Sequence, residues 1–191
     1  VAAQAVGGGD VGGLWQTILR ACWAEDKGIA DEGVVRAALE ENGFVNGFST
    51  RLGGVSEFPE NDLNLAGFGE DSDENIAENR RRFFELFDEN YDFTSVWQIH
   101  SDLVKKVFDE ESARNTDEKF DGIISDMPKI LAGVKTADCV PVLIGDSKTK
   151  AFSAIHAGWR GTVESIVLKA IDMMKTEYGT DVKDLICAIG P

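Results

Sequence analysis

The stretch TADCVPVLIGDSKTKAFSAIHAGWRG, residues 136–161, contains two apolar segments joined by a polar connection of five residues. The first segment, 140–145, is an almost continuous apolar run, as expected for a buried strand. In the second segment, 151–157, a two-residue spacing places Phe152, Ala154 and His156 on one face of a strand. Residues 146–150 are charged or turn-forming, so the stretch predicts an antiparallel hairpin.

The segments on either side of this hairpin predict a mixed sheet with flanking helices. An amphipathic helix is expected from an N-cap at Thr162 to a stop at Gly179, with Val163 and Ile166 on its apolar face. Ser72 is an expected N-cap for a helix to about Phe87. Further strands are predicted at 44–50, 94–100, 120–125, 130–136 and 185–189. Together these elements indicate an α+β (α/β-like) domain.

Composition excludes several classes of protein. The 191 residues carry a formal net charge of −15, which argues against a nucleic-acid-binding surface because phosphate binding needs a basic face. There is no apolar run near the roughly 20 residues of a membrane helix. The three cysteines are too few for a disulfide framework and favour a cytoplasmic location. The two histidines cannot hold the several copper ions of a multicopper oxidase, which would need roughly ten.

The chain divides into two parts by pattern. Residues 1–13 are small and glycine-rich, and 14–24 have helical spacing. We therefore expect a flexible leader with an extra N-terminal helix over 1–32, and a main domain over 33–191.

Three side chains stand out as candidates for chemistry: His100, Cys139 and His156, each at the end of a predicted strand. They are 39 and 17 residues apart, so they form no local metal-binding motif. Spacing alone leaves a second interpretation open, in which Cys139 is a small buried hydrophobic residue and each histidine is hydrogen-bonded within its strand.

Several motifs in order make the chain similar to a known family. They lie at 47–56 (GFSTRLGGVS), 63–65 (LNL), 78–81 (ENRR), 98–100 (QIH), 121–122 (DG), 136–142 (TADCVPV) and 156–161 (HAGWRG). With these residues the chain resembles the YfiH-type family, long described as multicopper polyphenol oxidases (laccases) and now as purine nucleoside phosphorylases. The resemblance covers 35–191 and implies a YfiH-like cysteine hydrolase fold.

The resemblance implies one metal site with His100, Cys139 and His156 as ligands and as catalytic residues. Two imidazoles and one thiolate leave a fourth tetrahedral position open, as in catalytic zinc sites. Zinc is therefore the expected cofactor, with copper as an alternative. Asp138 is expected to orient a ligand from behind or to cap the strand end.

The resemblance also implies the substrates: a purine nucleoside (adenosine, inosine, guanosine or methylthioadenosine) and inorganic phosphate, with adenosine deamination as a second activity. Arg51 and Arg160 lie in glycine-flanked turns that suit phosphate binding, and Arg51 is counted among the catalytic residues. Asn64 and Gln98 are amides that can bind ribose hydroxyls or base edges, or else satisfy buried backbone groups.

Alternative functions remain at this stage. Cys139 and His156 could form a Cys–His hydrolase, since the family's fold resembles that of a cytotoxic necrotising-factor deamidase domain. A copper-binding polyphenol oxidase and a non-catalytic binding domain are the others. Family members extend some tens of residues beyond the strand at 185–191, so we expect this chain to lack a C-terminal segment. An uncovered strand edge would favour a homodimer.

Overall fold

The computed structural model describes residues 2–3, 34–35, 43–49, 51–57, 60–65, 71–87 and 91–190, with the first two ranges described by their backbone only. Apart from Ala2–Ala3, the predicted leader and extra helix over 1–32 lie outside the described residues.

Eleven strands and four α-helices occur in the described part of the chain. The strands are β1 Ala2–Ala3, β2 Val34–Val35, β3 Phe48–Ser49, β4 Leu52–Ser56, β5 Asp92–Thr94, β6 Val104–Val107, β7 Gly122–Ser125, β8 Ile130–Ala132, β9 Val140–Asp146, β10 Phe152–Ala157 and β11 Leu185–Ile189. The helices are α1 Asp73–Phe84, α2 Glu110–Arg114, α3 Trp159–Val163 and α4 Ile166–Tyr178, with a 3-10 turn at Val182–Asp184.

Six strands form the main sheet, in the order β1-β11-β9-β10-β7-β6. The β6–β7 pair is parallel and the other pairs are antiparallel. The predicted hairpin is confirmed: β9 and β10 pair from Phe152 opposite Gly145 to Ala157 opposite Val140. The sheet is mixed and carries helices, so the predicted α+β class is confirmed.

Helix α4 covers one face of the main sheet and forms the larger core. Its fully buried Ile166, Ala170 and Met174 pack against Ile124 and Ile155 from the sheet. The opposite face packs a second cluster that includes Val96, Val107 and Ile123. Neighbouring residues of one strand, such as Ile123 and Ile124, thus face opposite layers, as strand geometry requires.

Two predicted elements are wrong in a way that matters for the site. The predicted strand over 94–100 ends at Thr94, and His100 lies in the left-handed region with φ 57°. The reason is that the backbone N–H groups of residues 99–101 bind a carboxylate rather than a neighbouring strand. Of the strand predicted at 44–50, the described residues 44–49 form only Phe48–Ser49, and residue 50 lies outside the described part of the chain.

The helix predicted from Thr162 to Gly179 ends as predicted, with Gly179 as its C-cap, but its start is wrong and it is not continuous. Gly158 is the N-cap of the short helix α3, and Ser165, with φ 61°, separates α3 from α4. This left-handed residue turns the chain, so that Ile166 is fully buried while Val163 is 73% exposed. Helix α3 therefore turns its apolar side chains away from the core and toward the end of the sheet.

Within the described part of the chain, no helix has both the length and the apolar character needed to span a membrane.

Candidate metal centre

Strand pairing brings the three candidate side chains to one end of the main sheet. Cys139 directly precedes β9, and His156 is the penultimate residue of β10, so the antiparallel pairing places them at the same edge. His100 arrives from the loop before β6. That loop is attached to the edge through Asp121, whose carbonyl accepts a hydrogen bond from the His156 amide at 2.7 Å.

One ligand atom from each of His100, Cys139 and His156 lies within 4.8 Å of the other two. Tetrahedral zinc with ordinary Zn–N and Zn–S bond lengths needs donor separations of about 3.3–3.6 Å. The three ligand atoms therefore have to approach one another by only about an ångström to coordinate one ion. The two imidazoles and the thiol are donors that suit zinc. The His156 side chain is buried and that of His100 is exposed, so the site opens toward solvent on one side.

Asp121 is the residue on which this site is built, although the sequence analysis assigned it no role. Its carboxylate is fully buried and accepts five hydrogen bonds: from His156 Nδ1 at 2.8 Å, His100 N at 2.9 Å, Ser101 N at 2.6 Å, Ser101 Oγ at 2.7 Å and Ile99 N at 3.3 Å. Burial raises the pKa of Asp121, but the hydrogen bonds from Ser101, His156 and Ile99 outweigh it and hold the pKa below its ordinary value. Asp121 is therefore ionised at neutral pH.

The carboxylate selects the form of His156 that can bind a metal. Because Nδ1 faces Asp121 Oδ1, the ring carries its proton there and donates it to the carboxylate. Nε2 is then left with a lone pair. A carboxylate behind a ligating histidine is the usual arrangement for fixing the tautomer and orientation of the ring.

The same carboxylate holds His100 in its unusual backbone conformation. A non-glycine residue at φ 57° lies in a sparsely populated region that persists only where its surroundings impose it. Asp121 imposes it by binding the N–H groups of His100 and of both its neighbours. The His100 and His156 rings meet edge to face, with centroids 4.9 Å apart.

Gly158 is the second residue that sequence reasoning missed. A Cβ added there would lie 2.9 Å from His100 Cδ2, 3.4 Å from Cys139 Sγ and 3.5 Å from His156 Cε1. The three candidate ligands thus surround one glycine, which leaves room for them to converge. In the sequence, Gly158 could have been noticed because it directly follows the predicted strand of His156. Asp121 could have been noticed because it is a charged residue directly before the apolar segment 122–125.

Cys139 is half-buried and is a free thiol. Burial raises its pKa, and the neighbouring Asp138 carboxylate, with Oδ1 3.7 Å from Sγ, raises it further. Without a metal the thiol is therefore largely protonated at neutral pH, whereas a bound metal ion would favour the thiolate. The predicted role of Asp138 in orienting a ligand stays a prediction. Cys187, in contrast, is buried in the sheet, which raises its pKa to about 12.

A depression of about 410 Å³ adjoins the His100 side of the site. It is lined by residues 99–102 and by Trp159, Arg160, Val163 and Glu164 of and after α3. Gly161 sets α3 close to the loop, since a Cβ there would meet the Ser101 carbonyl oxygen at 2.8 Å. The depression and the candidate metal site share His100 as a common wall.

The predicted substrate-binding residues occupy different places. Arg160 lines the depression. The Gln98 amide donates to the Lys135 carbonyl at 2.6 Å and accepts from the Lys135 N–H at 2.8 Å, so it joins two loops. Arg51 precedes β4 with an exposed side chain whose Nη1 lies 3.8 Å from Asp62 Oδ1. Asn64 is half-buried in the segment that follows β4.

The described residues thus form a mixed-sheet domain with a Cys/His cluster that could hold a metal ion at one end of the sheet. A family model described as "Multi-copper polyphenol oxidoreductase laccase" matches residues 45–191, and the chain belongs to this family. The chain is also similar to the solved "hypothetical protein YfiH" of Bacillus licheniformis, with 32% identity and a TM-score of 0.68 over 76% of this chain and 57% of that one. The predicted YfiH-type membership is thereby confirmed.

Two curated relatives are named for an activity. Purine nucleoside phosphorylase LACC1 of Mus musculus is 30% identical over 161 residues, or 83% of this chain and 36% of that protein. A purine nucleoside phosphorylase of Clostridium acetobutylicum is 36% identical over 132 residues, or 69% of this chain and 52% of that protein. The chain thus spans between about a third and a half of the length of these relatives.

Proposed function

We propose that this chain is the metal-binding domain of a purine nucleoside phosphorylase. In this reaction inorganic phosphate displaces the base of adenosine, inosine, guanosine or methylthioadenosine, and adenosine deamination is a second activity. The observation that carries the proposal is the convergence of His100, Cys139 and His156 within 4.8 Å at the edge of an open depression. The names of the curated relatives support the choice of reaction.

Zinc is the proposed metal, held by the same three residues. One thiolate and two imidazoles suit zinc, and copper is the alternative for such a donor set. When bound by these residues, zinc would polarise a substrate oxygen or lower the pKa of a bound water. Among the chain's own residues, Asp121 keeps the His156 ring proton on Nδ1. Asp138 is proposed to orient Cys139.

The substrate-binding side chains divide between two regions. Arg160, on the wall of the depression, is the proposed phosphate ligand because its guanidinium can bind two phosphate oxygens at once. Arg51 and Asn64 near β4 are kept as further substrate-binding residues. Gln98 is proposed to position the loop that carries His100, since its amide hydrogen-bonds this loop to the Lys135 backbone.

The direct test is turnover by the zinc-loaded protein. Adenosine and inosine are incubated with phosphate, and release of free base and ribose 1-phosphate is followed by chromatography. Cys139→Ala should lose zinc and activity together, whereas Cys187→Ala, which removes the buried thiol of β11, should keep both. Absence of turnover in a folded, zinc-loaded protein would favour the non-catalytic binding domain, and full activity of Cys139→Ala would contradict the ligand assignment.

A Cys–His hydrolase is the second candidate, and one observation favours it. The arrangement resembles a catalytic triad, in which Cys139 would be the nucleophile, His156 the base and Asp121 the group that orients the base. The raised pKa of Cys139 disfavours this function, because a nucleophilic thiol is normally held as the thiolate.

Alkylation of Cys139 separates the two functions. If its sulfur ligates zinc, iodoacetamide should label it only after a chelator has removed the metal, with Cys187 unlabelled in the folded protein because it is buried. Rapid labelling of Cys139 in metal-loaded protein, accompanied by amide or ester hydrolysis, would support the hydrolase instead.

We also propose a cellular location, a domain boundary and an assembly. The free thiols Cys139 and Cys187 fit a reducing compartment, which supports a cytoplasmic location. Residues 33–191 are proposed as the domain, and a homodimer remains the proposed assembly, measurable by light scattering.

A further inference from the structure

The depression beside the candidate metal site has an apolar wall that the proposed chemistry does not use. Trp159 is 69% exposed, Val163 is 73% exposed and Ile99 is 39% exposed, and all three line it. Exposed apolar side chains that cluster in a concave surface commonly mark a binding site. The volume of about 410 Å³ falls in the range of sites for small organic molecules.

We infer that this wall is the subsite for the purine base, and that Trp159 is the residue on which the base stacks. The inference rests on the proposed function, and it goes further by assigning a side chain to the base. A purine presents two flat aromatic faces, and stacking on an indole ring recognises those faces without requiring a particular set of base-edge groups. This tolerance fits a site that accepts adenine, guanine and hypoxanthine alike.

The position of Trp159 is set by the fold rather than by chance exposure. Trp159 directly follows Gly158, the residue that the candidate metal ligands surround, and is the first residue of α3. The close approach of Gly161 to the Ser101 carbonyl fixes α3 against the loop that carries Ile99 and His100. Trp159 and Ile99 both line the depression, and the packing of α3 against this loop fixes where each of them lies.

The surroundings of Trp159 supply partners for the rest of a nucleoside. The Arg160 guanidinium lies over the Trp159 ring, 5.2 Å from its centroid, and this cation–π contact restrains the ring. Asp102 and Glu164 line the same depression, and each has a carboxylate that can accept hydrogen bonds from ribose hydroxyls; that of Asp102 is also paired with Lys169. An apolar wall beside these polar groups matches an aromatic base joined to a sugar.

The test measures binding separately from turnover. Inosine affinity of the zinc-loaded protein is measured by calorimetry for the wild type, Trp159→Ala and Trp159→Phe. Loss of one base-stacking aromatic side chain should weaken inosine binding by about 5- to 150-fold, and Trp159→Phe should restore most of it. Ribose 1-phosphate, which lacks the base, should bind the wild type and Trp159→Ala alike.

Trp97→Ala is the matched control, because Trp97 is also exposed, at 53% against 69% for Trp159, and does not line the depression described above. It should leave inosine affinity unchanged. Trp159→Ala should raise KM for inosine with little change in kcat, the pattern expected when uniform binding energy is lost. Since Trp159 is exposed, the fold should survive the substitution, and thermal unfolding checks this.

The possible failures are distinguishable. Inosine binding that depends on Trp159 but leads to no phosphorolysis would overturn the proposed function and keep the base subsite. Normal phosphorolysis with unchanged KM in Trp159→Ala would overturn the subsite and keep the function. If Trp159→Ala dissociates a dimer but leaves inosine affinity unchanged, the wall is a protein interface and the subsite is overturned. A wild-type protein that binds no nucleoside would also overturn the subsite.

Discussion

Asp121→Asn is the substitution that most directly tests how the candidate metal site is built. It keeps the shape of the side chain and replaces one carboxylate oxygen by an NH₂ group, which cannot accept a hydrogen bond. All five groups around Asp121 are donors in the structure. Either orientation of the new amide therefore loses acceptors in a buried place.

The two orientations fail differently. With its NH₂ group toward Ser101 and Ile99, the amide leaves two backbone N–H groups without an acceptor, at about 1–3 kcal/mol each. With its NH₂ group toward His156, the amide forces the imidazole to accept at Nδ1, which moves the ring proton to Nε2 and blocks metal binding there. We expect unfolding free energy to fall by about 2–4 kcal/mol. We also expect zinc affinity to fall by about 10- to 100-fold.

The assay has two readouts. Urea denaturation of the metal-free protein gives the loss of stability, and competition with a chelator gives the zinc affinity. Cobalt(II) substitution adds a spectroscopic measure of the geometry at Cys139 and the histidines, which a purely structural role for Asp121 would leave unchanged. Asp126→Asn is the control: it removes the same charge from an exposed position at the other end of β7 and should alter none of these quantities. An Asp121→Asn protein with wild-type zinc affinity and cobalt spectrum would refute the reasoning.

Three further predictions concern Gly158, zinc binding and an exposed ion pair on α1 between Glu78 and two arginines. Gly158→Ala should lower zinc affinity at least tenfold because its Cβ would displace His100. Gly133→Ala, whose Cβ would lie 2.5 Å from the Phe93 ring, should lower thermal stability without changing zinc affinity. Zinc at 100 times its Kd should stabilise the protein by about 2.7 kcal/mol, measured as a rise in Tm that Cys139→Ala abolishes. Hydrogen bonds from Arg81 and Arg82 lower the pKa of Glu78 from 4.5 to about 2, so its contribution to stability is complete above pH 4.5 and is lost as the pH falls toward 2; the difference in urea midpoint between wild type and Glu78→Gln should therefore shrink from pH 6 to pH 3.

The hairpin of β9 and β10 could be predicted from the sequence because its determinants are local. A continuous apolar run, a turn-forming connection and an alternating strand lie within 18 residues, from 140 to 157. The alternation also places His156 correctly on the face of Phe152 and Ala154. The last strand, Leu185–Ile189, was predicted with the bounds that the structure has, for the same reason.

The conformation of His100 could not be predicted, because its determinant is remote in sequence. Residues 94–100 alternate like a strand, but the carboxylate that bends them belongs to Asp121, 21 residues further along. Periodicity carries no information about such a contact. The break between α3 and α4 was missed for a related reason: Val163 fits the apolar face of a continuous helix, and only the left-handed Ser165 turns it out toward the depression.

Asp121 also indicates why the site has no local sequence motif. A fully buried carboxylate is costly for folding unless its hydrogen bonds are satisfied, and apolar side chains at such positions often give a more stable protein. Its five donors come from residues 99–101 and from His156, so that one charge fixes the backbone of one candidate ligand and the tautomer of another. Stability alone does not account for a charge in this position. The charge is explained if its role is to hold two histidines that are distant in sequence. The pairing of β7 with β10 brings Asp121 next to His156, and Asp121 in turn holds the loop that carries His100.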